Sequence, residues 1–399
     1  MLYWHRMPGK AVARAPDWGD EMAVVAQSVI TSAAPKLREA SFDDYAQIAA
    51  LQRERDIRVR SREKWRHLWE ANPAYLDLGR KWPIGWVLEA GNKIVGYCGN
   101  IPARYVLDGK PLIAACGYSW VVEPAYSSYS MLLLYEYLRQ ENAAVCISTT
   151  AGPISYKAHM ALGAVPIPAG DWDRSALWIT SYPGFVASWL GRKKWPAPHA
   201  FSYPVSAALY ARDAIRQRVR KTNGANGHVE IECCERFDER FDQFWQLLRA
   251  ENPHKLLAER SQRALEWHFR YLLQEKKLWI ATVSEKSSLC AYAILGQLSN
   301  KADERKRVAL IDFQSAADKA DLFYPILEWA LERCASEGFH LFQTIGLCPS
   351  GIGDVSALAP YAIRQPTRPL YKALHGSLTA RLKDPAVWSL SLFDGDATV

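Results

Sequence analysis

The chain has 399 residues, 49% of them apolar, and a formal charge of +7. That length exceeds what one hydrophobic core ordinarily serves, so two domains are expected, and the positive balance favours anionic partners without naming one. No run of about 18 apolar residues is present to cross a membrane, residues 1–36 lack the basic-then-apolar order of a leader, and the eight cysteines form no CxxC pair; a cytoplasmic protein with reduced, mostly buried thiols is expected.

Residues 1–35 mix Pro, Gly and isolated charges without periodicity and read as a disordered tail. A short strand is expected at Lys36, Leu37, Arg38 and Glu39. Ser41 can cap a helix on which Phe42, Tyr45, Ile48, Ala49 and Leu51 recur near helical spacing. A second helix begins near Ser61, sets Trp65, Leu68 and Trp69 on one face, and stops at Pro73. Ala90-Gly91-Asn92 is a hairpin turn between strands at 86–89 and 93–100, and Asp108-Gly109 is another, leading into a long strand at 112–122. A helix follows at 128–140, then a buried strand at 143–149 and a short helix at 155–162 ended by Gly163.

From 182 to 227 the composition turns to Pro, Gly and basic residues. Arg192, Lys193, Lys194, Arg212, Arg216, Arg218, Arg220 and Lys221 face a single acid, Asp213, so the stretch reads as a linker with a basic helix near its end. Such a helix has the charge for peripheral contact with a membrane or a nucleic acid, but its apolar face (Val205, Leu209, Ile215, Val219) is modest, and a solvated connector is the expectation. Beyond it the first pattern returns in outline: helices at 237–249 and 261–273, a hairpin at 278–283 and 289–298, a strand at 308–314, a helix at 322–337 and a strand at 339–344.

The stretches KLREASFDDYAQIAAL, NKIVGY, SWVVEPAYSSYSMLLL and SYKAHMALGAV, in the order strand, two helices, three antiparallel strands, helix, strand, helix, resemble the GNAT acyltransferase superfamily over 36–179. The resemblance implies an α/β fold with mixed sheets: two tandem GNAT-like domains, at 36–180 and 228–399, each a mostly antiparallel sheet flanked by helices and joined by the basic linker 181–227. This layout is similar to double-domain bacterial acyltransferases and to the FemABX aminoacyl transferases. It further implies acetyl-CoA or a longer acyl-CoA as co-substrate, a small-molecule acceptor and no metal.

Val122, Ser127, Ser128, Tyr129 and Ser130 are the expected cradle of the cofactor pyrophosphate. The first N–H groups of a helix lack intrahelical partners, and the aligned dipole adds about 0.3–1 kcal/mol per nearby anionic charge. Those of Ser127 through Ser130 are the expected donors. Where the superfamily carries glycines, this chain has Ser127-Ser128-Tyr129-Ser130; the backbone is less open to phosphate, but serine hydroxyls can donate.

An attacking amine of pKa about 10.4 must lose a proton, at about 4.6 kcal/mol at pH 7, whereas the departing thiol has a pKa of only about 8.5, so the base matters more than the acid. No carboxylate lies in 112–122, where the superfamily often has one; Tyr118, Ser119 or a water chain is the substitute, and Glu89 another candidate. The resemblance places the acid four residues before Gly163, at His159, with Tyr156 one turn earlier as the second candidate. In the second half, Gln314-Ser315-Ala316-Ala317-Asp318 has no glycine, and Asp318 and Asp321 would repel phosphate. That half is expected to shape the acceptor site through Asp312, Arg368 and Tyr371. Asp394 and Asp396 around Gly395 lack further ligands for a cation.

The expected function is acyl transfer from acyl-CoA to an amine or hydroxyl of a small metabolite or sugar precursor. The alternatives are an aminoacyl-tRNA-dependent transferase of the FemABX kind, which alone would bring in a nucleic-acid partner, and a non-catalytic binding protein of the same fold.

Overall fold

The computed structural model describes residues 34–168, 175–195, 198–215, 229–298, 306–344, 360–364, 369–396 and 398. Two compact units emerge. The first takes the chain up to Pro102, Ala114–Val165 and Pro369–Leu374; the second takes Ala103–Ile113, Pro166–Arg368 and His375–Val399. In chain order the elements are β1 (Lys36–Glu39), α1 (Tyr45–Glu54), α2 (Arg62–Glu70), α3 (Pro73–Asp77), β2 (Gly85–Ala90), β3 (Lys93–Leu107), β4 (Lys110–Val122), α4 (Ser130–Arg139), β5 (Val145–Ser148), α5 (Pro153–Ala161) and β6 (Val165–Pro166). There follow β7 (Ser175–Ile179), α6 (Tyr182–Arg192), α7 (Pro198–Ile215), β8 (Glu232–Cys234), α8 (Glu239–Glu251), β9 (Leu257–Ala258), α9 (Gln262–Gln274), β10 (Leu278–Glu285), β11 (Ser288–Gln297), β12 (Arg307–Ser315), α10 (Phe323–Ser336), β13 (Leu341–Thr344), β14 (Ala362–Arg364), β15 (Leu370–Ala373) and α11 (Gly376–Arg381).

Local chemistry explains the first elements. Ser41 and Asp44 form a reciprocal capping box ahead of α1, and Arg38 on β1 pairs with Asp44 at 2.8 Å and with Glu89 on β2 at 2.5 Å. Ser61 caps α2 by accepting the Lys64 N–H, and Trp65 and Trp69 meet edge to face at 5.1 Å. Asp108 and Gly109 both take positive φ, 52° and 72°, as the two-residue turn between β3 and β4 requires. Pro73 opens the short α3 as well as following the end of α2, its missing N–H being harmless at a helix start.

Two expectations are revised. The stretch read as a linker folds, in its described part, as the helices α6 and α7, both within the second unit. Its prolines misled the reading: Pro183 sits in the first turn of α6, where proline is tolerated, and α7 carries Pro204 inside it. Arg216, Arg218, Arg220, Lys221 and Val219 lie outside the described residues. The helix expected from Ser128 begins instead at Ser130, after a 3-10 turn over Pro124–Tyr129.

The two sheets share one plan. The first runs β1-β2-β3-β4-β5-β15-β6 and the second β8-β10-β11-β12-β13-β7-β14, each with one internal parallel pair, β4 with β5 and β12 with β13. In each, the strand beside that pair comes from a distant part of the chain. β15 runs antiparallel to β5, with Tyr371 opposite Ile147, and β7 antiparallel to β13, with Trp178 opposite Phe342. Tyr371, expected to serve the second domain, therefore lies in the first sheet, and the 36–180 boundary leaves β7 on the wrong side of the described division.

Candidate functional site

β4 and β5 pair in parallel at Ala114–Val145, Ala115–Cys146 and Cys116–Ile147, and pairing stops there although β4 continues to Val122. The two strands thus part and leave the backbone of 117–122 unpaired on that side. Tyr137 of α4 sits at the vertex. Its hydroxyl lies 2.9 Å from the carbonyl oxygens of both Ala115 and Ile147, one on each strand, and donates its single proton to one or the other. Gly117 makes room for it: a Cβ there would lie 3.2 Å from the Tyr137 ring. Sequence reading missed this pair; a glycine in a buried strand facing an aromatic on the next helix is the signal that marks it. Tyr137→Phe removes the clasp and is expected to cost about 1 kcal/mol, measured by chemical denaturation.

Beyond the vertex β4 changes the face it presents. Gly117 faces α4, whereas Tyr118 meets Trp69 of α2 edge-on at 6.4 Å and lies under the Arg60 guanidinium at 5.8 Å. Simple alternation would return Ser119 to the α4 side. Instead Ser119 has φ of +53°, and its hydroxyl accepts a 2.6 Å hydrogen bond from Gln52 of α1. A non-glycine residue held in the left-handed region costs about 1 kcal/mol or more, and such strain gathers at functional sites. The buried Tyr97 hydroxyl and Trp65 Nε1 add two polar atoms without a hydrogen-bond partner in the first unit. Burial holds the Tyr97 hydroxyl well above its usual pKa, a shift that the neighbouring Trp65 partly opposes.

The structure brings His159 to the α4 side. It is buried on α5, its ring edge-on to Tyr137 at 6.3 Å, with Nδ1 2.8 Å from the Ser155 carbonyl. That oxygen can only accept, so Nδ1 carries the proton. Burial lowers the His159 pKa, partly opposed by the Ser155 bond, and the ring is neutral at pH 7. An imidazole kept neutral on folding gives the unfolded chain the greater proton uptake at acid pH. Stability is therefore expected to fall as pH drops below about 6.5, and His159→Gln should flatten that slope in denaturation curves taken across pH. Tyr156, one turn earlier, is half-buried against Ala151, Ala164 and Leu370. Tyr118 lies on the opposite face of β4, so the three expected catalytic side chains do not converge.

At the strand-to-helix turn, Ser127 and Ser128 are exposed, while Val122, Tyr129 and Ser130 are half-buried. The Ser130 N–H donates to the Ser127 carbonyl and that of Tyr126 to the Glu123 carbonyl, so the 3-10 turn removes Ser130 from the expected donors. Neither nearby carboxylate is an unpaired base: Glu123 is paired with Lys93 at 2.5 Å and Glu89 with Arg38. Burial raises the Cys98 thiol to about 12 and pushes Cys146 up as well, so neither is a thiolate at neutral pH.

In the second unit Asp312 is sealed in the core. Arg260 holds it through Nε at 2.8 Å and a second nitrogen at 3.1 Å, while Tyr292 and Gln314 also donate to it. Arg260 further pairs with Asp394 at 3.3 Å, and the Ser391 N–H donates to Asp394 at 2.7 Å. Burial pushes both carboxyls up; Arg260 and the donors overcome this for Asp312, which ends below the usual range, but not for Asp394, which stays above it. This corrects the expected place of Asp312 at a cleft, and it makes Asp394 a partner of arginine. Arg368 lies outside the described residues. Among the described residues no cluster of three His, Cys, Asp or Glu side chains gathers as a metal site.

No known family's sequence profile matches the chain, and no curated protein resembles it in sequence. In fold it is similar to a GCN5-related N-acetyltransferase from Anabaena variabilis, with a TM-score of 0.51 and 11% identity over 86% of this chain and 73% of that one. It is also similar to the N-myristoyltransferase of Saccharomyces cerevisiae with bound myristoyl-CoA, with a TM-score of 0.52 and 12% identity over 86% of this chain and 79% of that one. Identities this low speak for the fold alone.

Proposed function

We propose that this chain, folded as two GNAT-like domains of mixed sheet flanked by helices, transfers an acyl group from acyl-CoA to an amine or hydroxyl of a small metabolite or sugar precursor. The observation that carries the reading is the parting of β4 from β5 after Cys116 and Ile147, clasped by Tyr137 and followed by a strand-to-helix turn. A pantetheine arm has amides that need partners, and the unpaired backbone of 117–122 offers N–H and carbonyl groups to it. A pyrophosphate then falls toward the exposed Ser127 and Ser128, whose hydroxyls can donate.

In this reading a backbone N–H beyond the vertex polarises the thioester carbonyl. Attack forms the new C–N or C–O bond, and the C–S bond breaks. The proton lost by the acceptor passes through water to bulk solvent, with the Tyr118 hydroxyl able only to relay it by giving up its own proton as it takes one, because no unpaired carboxylate stands on β4. A thiolate of pKa about 8.5 leaves with little help, which fits a neutral His159; the Tyr156 hydroxyl supplies its proton and regains one from solvent. The myristoyl-CoA of the yeast enzyme is a reason to try long as well as short acyl chains.

Calorimetric titration with acetyl-CoA and with acyl-CoAs of increasing length tests the proposal. Saturable binding of one of them is expected. Failure of every acyl-CoA to bind, together with salt-sensitive tRNA binding, would move the donor to the aminoacyl-tRNA class.

A further inference from the structure

Helix α7 is turned inside out. Its inward stripe is Ser202, Ser206, Leu209 and Asp213, and the three polar members are buried. They are satisfied where they lie: the Ser206 hydroxyl donates to the Ser202 carbonyl, and Asp213 accepts from the Tyr182 hydroxyl at 3.2 Å and pairs with Arg212 at 3.0 Å. The outward face is apolar and aromatic instead. Phe201, Val205 and Tyr210 are about half exposed, Tyr203 is 69% exposed and Ile215 is 82% exposed. Trp195, just past the end of α6, extends this face by meeting Phe201 edge-on at 6.2 Å. A surface helix of a soluble protein has the reverse polarity, and a contiguous exposed apolar face of this kind marks a surface that something covers.

Charge identifies what covers it. Between Tyr182 and Ile215 the one acid, Asp213, is buried, whereas Arg192, Lys193 and Lys194, immediately before Trp195, are exposed. Tryptophan and tyrosine beside lysine and arginine, with aliphatic side chains between, suit the headgroup layer of an anionic bilayer, where rings sit at the interface and cations meet phosphate. An acidic protein surface would match the lysines but leave Tyr203 and Ile215 without apolar partners. No helix among the described residues is long and apolar enough to cross a membrane, so the contact lies along the surface.

We infer that the α6–α7 hairpin seats this protein on an anionic lipid surface, with the outward face of α7 in the headgroup layer and Lys193 and Lys194 against lipid phosphates. The connector expected from the sequence is then a membrane-contact element. The inference stands whether or not the first unit binds acyl-CoA.

Vesicle co-sedimentation of the full chain tests it, comparing pure phosphatidylcholine with phosphatidylcholine containing about a third phosphatidylglycerol. Wild type is expected to partition to the anionic vesicles at least about tenfold better and to lose that preference in high salt. The double variant Tyr203→Ser/Ile215→Ser should lose binding to both vesicle types. Lys193→Ser/Lys194→Ser should weaken only anionic binding, by about tenfold, and Tyr203→Trp should retain it. These side chains are exposed, so unchanged unfolding midpoints in every variant exclude misfolding as the cause. Absence of binding to either vesicle would overturn the inference. So would a concentration-dependent dimer in lipid-free sedimentation velocity that Tyr203→Ser/Ile215→Ser dissolves, because the face would then belong to a second copy of the chain.

Discussion

Arg260→Met is expected to destabilise the second unit by about 3–5 kcal/mol, a large share of the stability of any domain. The substitution leaves Asp312 and Asp394 in the core with no cation, although their other donors, Tyr292, Gln314 and Ser391, remain. Neither carboxylate can then stay charged at modest cost, so both take up protons or the region opens. The triple variant Arg260→Met/Asp312→Asn/Asp394→Asn removes every charge and should recover most of the loss, since apolar or neutral replacement of a whole buried ion cluster is often close to neutral. Chemical denaturation of the two variants measures the difference; a cost below about 1 kcal/mol for Arg260→Met would show that the cluster holds nothing. The pH dependence has two opposed parts. Asp312, with its pKa held down, stabilises the fold above about pH 4 and loses that contribution on acidification. Asp394, with its pKa raised, weakens the fold at neutral pH and is relieved as pH falls.

Ser128→Glu is the corresponding test of the cradle. Ser128 is exposed on the 3-10 turn, so the change should leave the unfolding midpoint unaltered. A carboxylate about 4 Å from a phosphate charge near a protein surface repels it by about 4 kcal/mol, which predicts a fall in acyl-CoA affinity of about a hundredfold or more. Ser128→Gly, which opens the backbone to phosphate, should hold or improve affinity. Calorimetric titration of the three forms reads this directly. Equal affinities in wild type and Ser128→Glu would place the pyrophosphate elsewhere.

Much of the fold was legible because its signals are local. The Trp65, Leu68 and Trp69 stripe, the Asp108-Gly109 turn and the run of strands and helices over 36–166 each depend on a few adjacent residues, and all appear near their expected positions. Register across sequence is a different matter. Nothing in Leu370 or Tyr371 announces pairing with Ser148 and Ile147, since strand choice is set by the shape of the whole sheet. The same gap explains the site. His159 and Ser128 could be counted from a resemblance, whereas Tyr137 matters through two carbonyls on separate strands, and Arg260 through two acids 52 and 134 positions away. The inverted polarity of α7 was hidden for another reason: Ser202, Ser206 and Asp213 are polar, and only their burial shows that they face inward.

The crossed strands also bear on how the chain reaches its native state. The first sheet lacks its place beside β5 until residues 370–373 have been made, although, apart from the short β9 that pairs with β3, every other strand of it is complete by residue 166. During synthesis β5 and β6 therefore wait with unpaired edges for most of the second half of the chain, and the pairing that closes them spans more than two hundred residues. Such distant contacts slow folding and leave exposed edges open to aggregation. Reciprocal exchange makes the two halves obligate partners in folding: cutting the gene between them should yield two insoluble fragments, which become soluble only when expressed together.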